Sequence, residues 1–227
     1  PFISKTTGIP LANLAAKLMI GQKLSGISFN KKDLNYVAVK EAVLPFDRLP
    51  GSDTVMTPEM RSTGEVMGIA DNFEAAFFKS QISTGMLFPK SGNVFLSIRN
   101  EDKTKEIGDA CKILTKIGFK IIATKGTKSF LDKEEVDSQL VKKVFEGRPN
   151  IADLLKDKKI NIVMNTTQGK QSIEDSKDIR SLALNNKIPY YTTARGIIAI
   201  INSLKENTGG KISVKAIQEY HAQFITD

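Results

Sequence analysis

NVFLSIRNEDKTKEIGDACKILTKIGFKIIA, residues 93–123, decides the fold. Asn93 to Ile98 is a short apolar run that reads as a buried strand. Lys103 to Lys116 is amphipathic, with Ile107, Ala110, Cys111 and Leu114 on one face and charged side chains on the other. Phe119 to Ala123 is a second buried strand. Strand, helix and strand in so short a span form a βαβ unit, whose two strands run parallel.

Downstream the same rhythm continues. Ile160 to Met164 reads as a strand and Ser172 to Asn185 as a helix with Ile173, Ile179 and Leu182 inward. Ile188 to Tyr191 is a short strand and Ala194 to Leu204 an apolar helix. Short strands alternating with helices imply a doubly wound α/β domain, a parallel sheet covered on both faces. From the pattern it is expected over residues 91–227.

Upstream the pattern is thinner. Residues 1–82 offer a helix over 10–20, a strand from Val37 to Phe46, a loop containing Gly51, Pro58 and Gly64, and a helix from Asn72 to Gln81. Gly85, Pro89 and Ser91 mark residues 82–91 as the linker. That is a meagre core for the length, and the chain is read as a fragment of a longer polypeptide.

Composition narrows the function classes. With 41% hydrophobic and 26% charged residues among 227, the chain packs rather than remaining disordered. Its most apolar stretch, Gly196 to Leu204, falls short of the roughly 20 residues of a membrane-spanning helix. One Cys and one His exclude a disulfide framework and the usual zinc sites, and a reducing, cytoplasmic setting fits best. The net charge of +8 comes mostly from scattered lysines interleaved with acids. A small anionic partner therefore suits the chain better than nucleic acid does.

Ligands of open parallel sheets bind beyond the carboxyl ends of the strands. Four such ends here carry hydroxyls, amides, glycines and lysines: Ser97 with Arg99 and Lys103, Thr124 to Thr127, Asn165 to Lys170, and Thr192-Thr193. Hydroxyls, helix N-termini and lysines suit phosphate oxygens. Each threonine alone could be a helix cap. Their convergence on four separate ends favours an anion pocket. The string at 126–129 is not a P-loop, because the upstream glycine spacing is missing. Catalysis is poorly supported: His221 lies away from every strand end, Cys111 is on an apolar helix face, and Asp175 has no acid or base partner.

Several strings also resemble a known family. PFISKTTGIPLANLAAKLMIG (1–21), VKEAVLPFDRLPGSD (39–53), PEMRSTGEVMG (58–68), EGRPNI (146–151), NTTQGK (165–170) and IEDSKDIR (173–180) resemble the carboxyl-terminal part of the carbamoyl-phosphate synthetase large subunit. The resemblance covers nearly the whole chain. It implies that residues 1–82 are the tail of an ATP-grasp synthetase unit and that residues 83–227 are a methylglyoxal synthase-like allosteric domain. The family makes carbamoyl phosphate for pyrimidine and arginine synthesis from bicarbonate, two ATP and ammonia, which comes from glutamine through an amidotransferase small subunit. ATP and Mg²⁺ (or Mn²⁺) belong to the full-length protein, and the residues that hold them would lie upstream.

By resemblance, UMP or IMP binds with its phosphate on Lys103, Thr124, Thr127 and Lys143. The base and ribose lie near Ser97, Asn165, Thr167 and Asp175, with Lys170 beside the pocket. In the full protein ornithine at the domain junction meets Glu41, Tyr190 and Thr192; its remaining acidic contacts would lie upstream, so this chain by itself is expected to bind ornithine poorly. Two positions depart from the family. Lys125 stands where His is common, and Tyr191 stands where Asp is often found. A stand-alone methylglyoxal synthase is the alternative, but it requires a carboxylate and a histidine at the pocket.

Overall fold

A computed structural model describes residues 1–27, 33–43, 64–166, 170–207 and 212–222, with the backbone alone at 170–175. Among these residues, five strands form one parallel sheet, in the order β5-β4-β3-β6-β7. They are β3 (Gly92–Ser97), β4 (Phe119–Ala123), β5 (Ser138–Leu140), β6 (Ile162–Asn165) and β7 (Tyr190–Tyr191). The doubly wound α/β reading holds. Helices α4 (Lys105–Lys116), α5 (Lys125–Lys133), α6 (Ile151–Lys156), α7 (Lys170–Asn185) and α8 (Ala194–Asn207) supply the crossovers and cover.

Period-two alternation splits the core in two. Val94 and Leu96 of β3 face Ile107, Cys111, Leu114, Ile197 and Ile201 of α4 and α8. Phe95, between them, turns to the other side, with Ile151 and Leu155 of α6 and Ile179 and Ala183 of α7. The buried face of α4 is the one its spacing predicts. Glu106 in its first turn and Lys116 in its last both suit the helix dipole. Gly118, at φ 98°, takes the left-handed step that turns the chain into β4.

The chain winds outward from β3 through β4 to β5, then returns to lay β6 and β7 on the opposite side. The reversal lies between β3 and β6, where Ser97 is level with Asn165. That is the topological switch point, where a crevice opens at the carboxyl ends of the strands.

The N-terminal region holds more structure than its pattern suggests. Besides α2 (Leu11–Met19) it has a short helix, α1 (Phe2–Thr7), and an antiparallel ribbon of β1 (Val37–Val43) and β2 (Gly64–Ala70). Gly64, expected in a loop, is the first residue of β2. The remainder of the expected strand and loop, residues 44–63, lies outside the described residues. No residue of α2 is buried, and Met19 and Ile20 beside it are 87% and 86% exposed. At the other end of the chain, α9 (Ile217–Ala222) docks Tyr220 edge-on against Tyr36.

Helix α3 (Phe73–Ser83) joins the two regions. Its N-terminus is capped by Asn72, whose side chain accepts from the Ala75 N–H. It runs two residues, Ile82 and Ser83, into the expected linker and packs on the ribbon and on α8. Contact with β2 is so close that a Cβ on Gly68 would meet the Ala76 carbonyl oxygen at 2.0 Å and the Ser80 nitrogen at 2.6 Å.

Candidate functional site

The switch point gathers hydroxyls first. Thr124, which follows β4, places its Oγ1 3.3 Å from Ser97 Oγ and 3.3 Å from Thr127 Oγ1. Its hydroxyl makes no cap bond to α5, so its position serves the cluster rather than the helix. Thr193 does the reverse, accepting from the Gly196 N–H at 3.1 Å as an ordinary cap. Thr127 is buried, and its Oγ1 accepts from the Ile98 N–H at 2.8 Å. That bond holds the β3 loop against α5, so Thr127 shapes the crevice more than it opens onto it. On the other side the Arg99 N–H donates to Thr166 Oγ1 at 3.0 Å, tying the same loop to the end of β6.

Charge comes next. Arg99 grips Asp102 through Nε and Nη2, at 2.7 and 3.1 Å, and holds its carboxyl below the usual carboxylate range. Lys103 is half-buried, and its Nζ donates to Asn100 Oδ1 at 2.7 Å. A Cβ on Gly126 would lie 3.4 Å from that Nζ, so the ammonium stands over the first turn of α5. The opening N–H groups of a helix have no carbonyl a turn earlier to meet. Burial lowers the pKa of Lys103, and the positive charge of Lys143 lowers it further. Lys143 itself is exposed and follows β5, a strand the sequence pattern did not reveal. An ammonium over a helix N-terminus, with a second positive charge close enough to oppose it, favours a bound anion.

Asn165 is buried at the end of β6 and donates from Nδ2 to Tyr190 Oη at 3.2 Å. The structure thus brings Ser97, Thr124 and Thr127 into one hydroxyl cluster at the switch point, with Asn165 level with Ser97 on the neighbouring strand, Lys103 over the first turn of α5 and Lys143 within reach of Lys103 electrostatically. Thr167 lies outside the described residues, as do the side chains of Lys170 and Asp175.

The Asn165–Tyr190 bond leads to a second hollow. Glu41, Tyr190 and Thr192 line one cavity of ≈ 270 Å³, together with Phe77, Gln81 and Met86. Burial pushes the Glu41 carboxyl above its ordinary value, against the pull of hydrogen bonds from Ser80 and Gln81. Gln81 Nε2 donates to Glu41 Oε2, and Ser80 Oγ lies 3.3 Å from the same oxygen. The Tyr191 hydroxyl donates to Gln81 Oε1 at 2.6 Å. Gln81 and Ser80 escape a reading of strand ends because they sit on a helix, one whose apolar residues show almost no one-sided spacing.

The candidates for chemistry are elsewhere. A ring nitrogen of His221 is 2.7 Å from the Lys5 carbonyl oxygen, at the contact of α9 with α1. Cys111 is buried, and desolvation pushes its thiol up to about 12. Among the described residues, no group of three or more His, Cys, Asp or Glu side chains could hold a metal ion, and no helix is long and apolar enough to cross a membrane.

Residues 106–192 match the model of the MGS-like domain. The chain is also similar to proteins called carbamoyl phosphate synthase large chain. It is 46% identical to that of Methanothermobacter thermautotrophicus over 97% of this chain and 21% of the relative. With the Mesorhizobium japonicum and Rhizobium meliloti proteins it shares 44% and 43%, over 98% and 97% of this chain and 20% and 19% of theirs. The chain thus spans about a fifth of the length of these relatives.

Proposed function

The chain is a relative of the carbamoyl phosphate synthase large chains and carries an MGS-like domain, and on that footing we propose that it is their effector-binding region. In this reading a nucleoside monophosphate, UMP or IMP, seats its phosphate over the first turn of α5, between Lys103 and Lys143. Its ribose and base extend toward Ser97, Asn165, Thr167 and Asp175, with Lys170 beside them. Ornithine occupies the second hollow, its ammonium on Glu41. Neither ligand is transformed. Each shifts the synthesis of carbamoyl phosphate from bicarbonate, ammonia and ATP in the cytoplasm. ATP and Mg²⁺ act in the rest of the longer protein, alongside its glutamine amidotransferase subunit. Coupling between two such sites is about 1–3 kcal/mol.

One observation carries the reading: the Ser97 and Thr124 hydroxyls lie together at the switch point, level with Asn165 on the neighbouring strand, and the Lys103 ammonium stands over the first turn of α5 within the field of Lys143. The test is thermal unfolding with UMP and with IMP. A nucleotide at a hundred times its dissociation constant adds about 2.7 kcal/mol of stability. Replacing both Lys103 and Lys143 with Ala should abolish that gain and leave the unliganded protein folded. Absence of any shift in the unmodified chain sinks the proposal.

The MGS-like match also admits a methylglyoxal synthase-type phosphate lyase. That chemistry needs a histidine at the pocket, and the sole one is engaged at the α1–α9 contact. Appreciable turnover of dihydroxyacetone phosphate would reverse the choice.

A further inference from the structure

The second hollow contains a contact that the site residues alone do not explain. An ionised carboxylate only accepts hydrogen bonds, so the Gln81 group facing Glu41 must be its NH₂. Its carbonyl oxygen then faces Tyr191, and the phenol must donate. Tyr191 is buried, so this O–H has little competition from water. Both bonds to Glu41 fall on Oε2, and no described residue donates to Oε1. Glu41 is part of the cavity wall.

We propose that Tyr191 and Gln81 are a positioning pair for Glu41: the phenol fixes the amide, and the amide fixes the carboxylate so that its second oxygen can receive a ligand ammonium. The inference rests on the reading of this hollow as an ornithine site. It goes beyond that reading by assigning roles to two residues that need not touch the ligand. It also accounts for Tyr191 itself. Where an Asp would add a second negative charge, the phenol adds none and instead reaches across to α3.

Other groups around Glu41 are already engaged. Lys40 pairs with Glu65 of β2 at 2.6 Å. Lys79 of α3 donates to the Ile69 carbonyl at 2.8 Å and lies 3.4 Å from Ser213 Oγ. Tyr190 accepts from Asn165. From β7, then, the phenol that faces Glu41 through Gln81 is Tyr191. Its own pKa is raised, by burial first and then by the charge of Glu41.

The experiment compares the unmodified chain with Tyr191→Phe, which removes one oxygen, and Gln81→Met, which removes the amide. The Glu41 carboxyl is titrated by carbon-detected NMR, and ornithine binding is followed across the same pH range. Without its donor the ionised form of Glu41 is disfavoured, so its midpoint should move up in both variants. Ornithine affinity at neutral pH should fall about two- to tenfold, the worth of one hydrogen bond. The acid limb of binding should move with the Glu41 midpoint. A purely structural tyrosine would change the melting temperature and leave that midpoint in place, and superimposable titrations in both variants overturn the inference. If ornithine in large excess fails to bind the unmodified chain, the ligand assignment falls, while the Glu41 titrations still decide whether the pair positions the carboxylate.

Discussion

Glu41 has a half-buried carboxyl titrating above its ordinary value, chiefly through desolvation. A carboxyl with its folded pKa raised contributes stability below the unfolded value and loses that contribution as the pH rises through the folded one. Ionised Glu41 therefore costs stability at neutral pH. Glu41→Gln should raise the melting temperature there by on the order of one or two degrees, with the difference fading as acid protonates the original side chain. The same change should eliminate ornithine binding, and a lower melting temperature at neutral pH would contradict the desolvation argument. The strand-end residues were legible because their chemistry is unusual for loops that merely connect. Thr124, Ser97 and Asn165 do lie together. Thr127 was legible as a position but not as a role, since its burial against the Ile98 backbone depends on how two loops meet. Gln81 was hidden, because a glutamine on a helix reads as solvent-facing until a strand from elsewhere arrives beside it.

At the scale of elements, the parallel sheet could be read because each buried strand is a short apolar run and each covering helix has a 3.6-residue period. What escaped was irregular or brief. Strand β2 contains Gly64 and Gly68, which weaken a strand pattern, yet Gly68 is where α3 comes closest to the ribbon. Strand β5 has three residues at the sheet edge, two of them exposed, so it leaves almost no apolar trace. Helix α6 did leave a signal: Asn150 and Asp153 form a reciprocal capping box ahead of Leu154 and Leu155. The α3 contact yields a prediction. Gly68→Ala should destabilise the chain by about 1–3 kcal/mol, because backbone atoms rather than a flexible side chain must yield. Denaturant unfolding measures it, and an unchanged midpoint would mean that the close approach is absent. The displaced helix would also carry Ser80 and Gln81 away from Glu41.

For the whole molecule, α3 packs on the ribbon by one flank and on α8 by another, with Phe77 and Phe78 against the main core. Neither region can lose that helix without exposing apolar surface. Heat should therefore unfold the described structure in one transition, despite the contrast between a thin N-terminal region and a full parallel sheet. Calorimetry tests this directly, and two resolved peaks would separate the regions. Cys111 offers an independent readout: buried, with its thiol pushed up to about 12, it should be alkylated only as the calorimetric transition proceeds.

The shared helix also limits how the sheet could be borrowed. An engineer who cuts at residue 91 to transplant the sheet into another enzyme would strip from α8 the cover that α3 gives it and leave the Tyr191 hydroxyl without Gln81. A working graft would have to carry the seam, from Gly64 through Ser83, as part of the cassette.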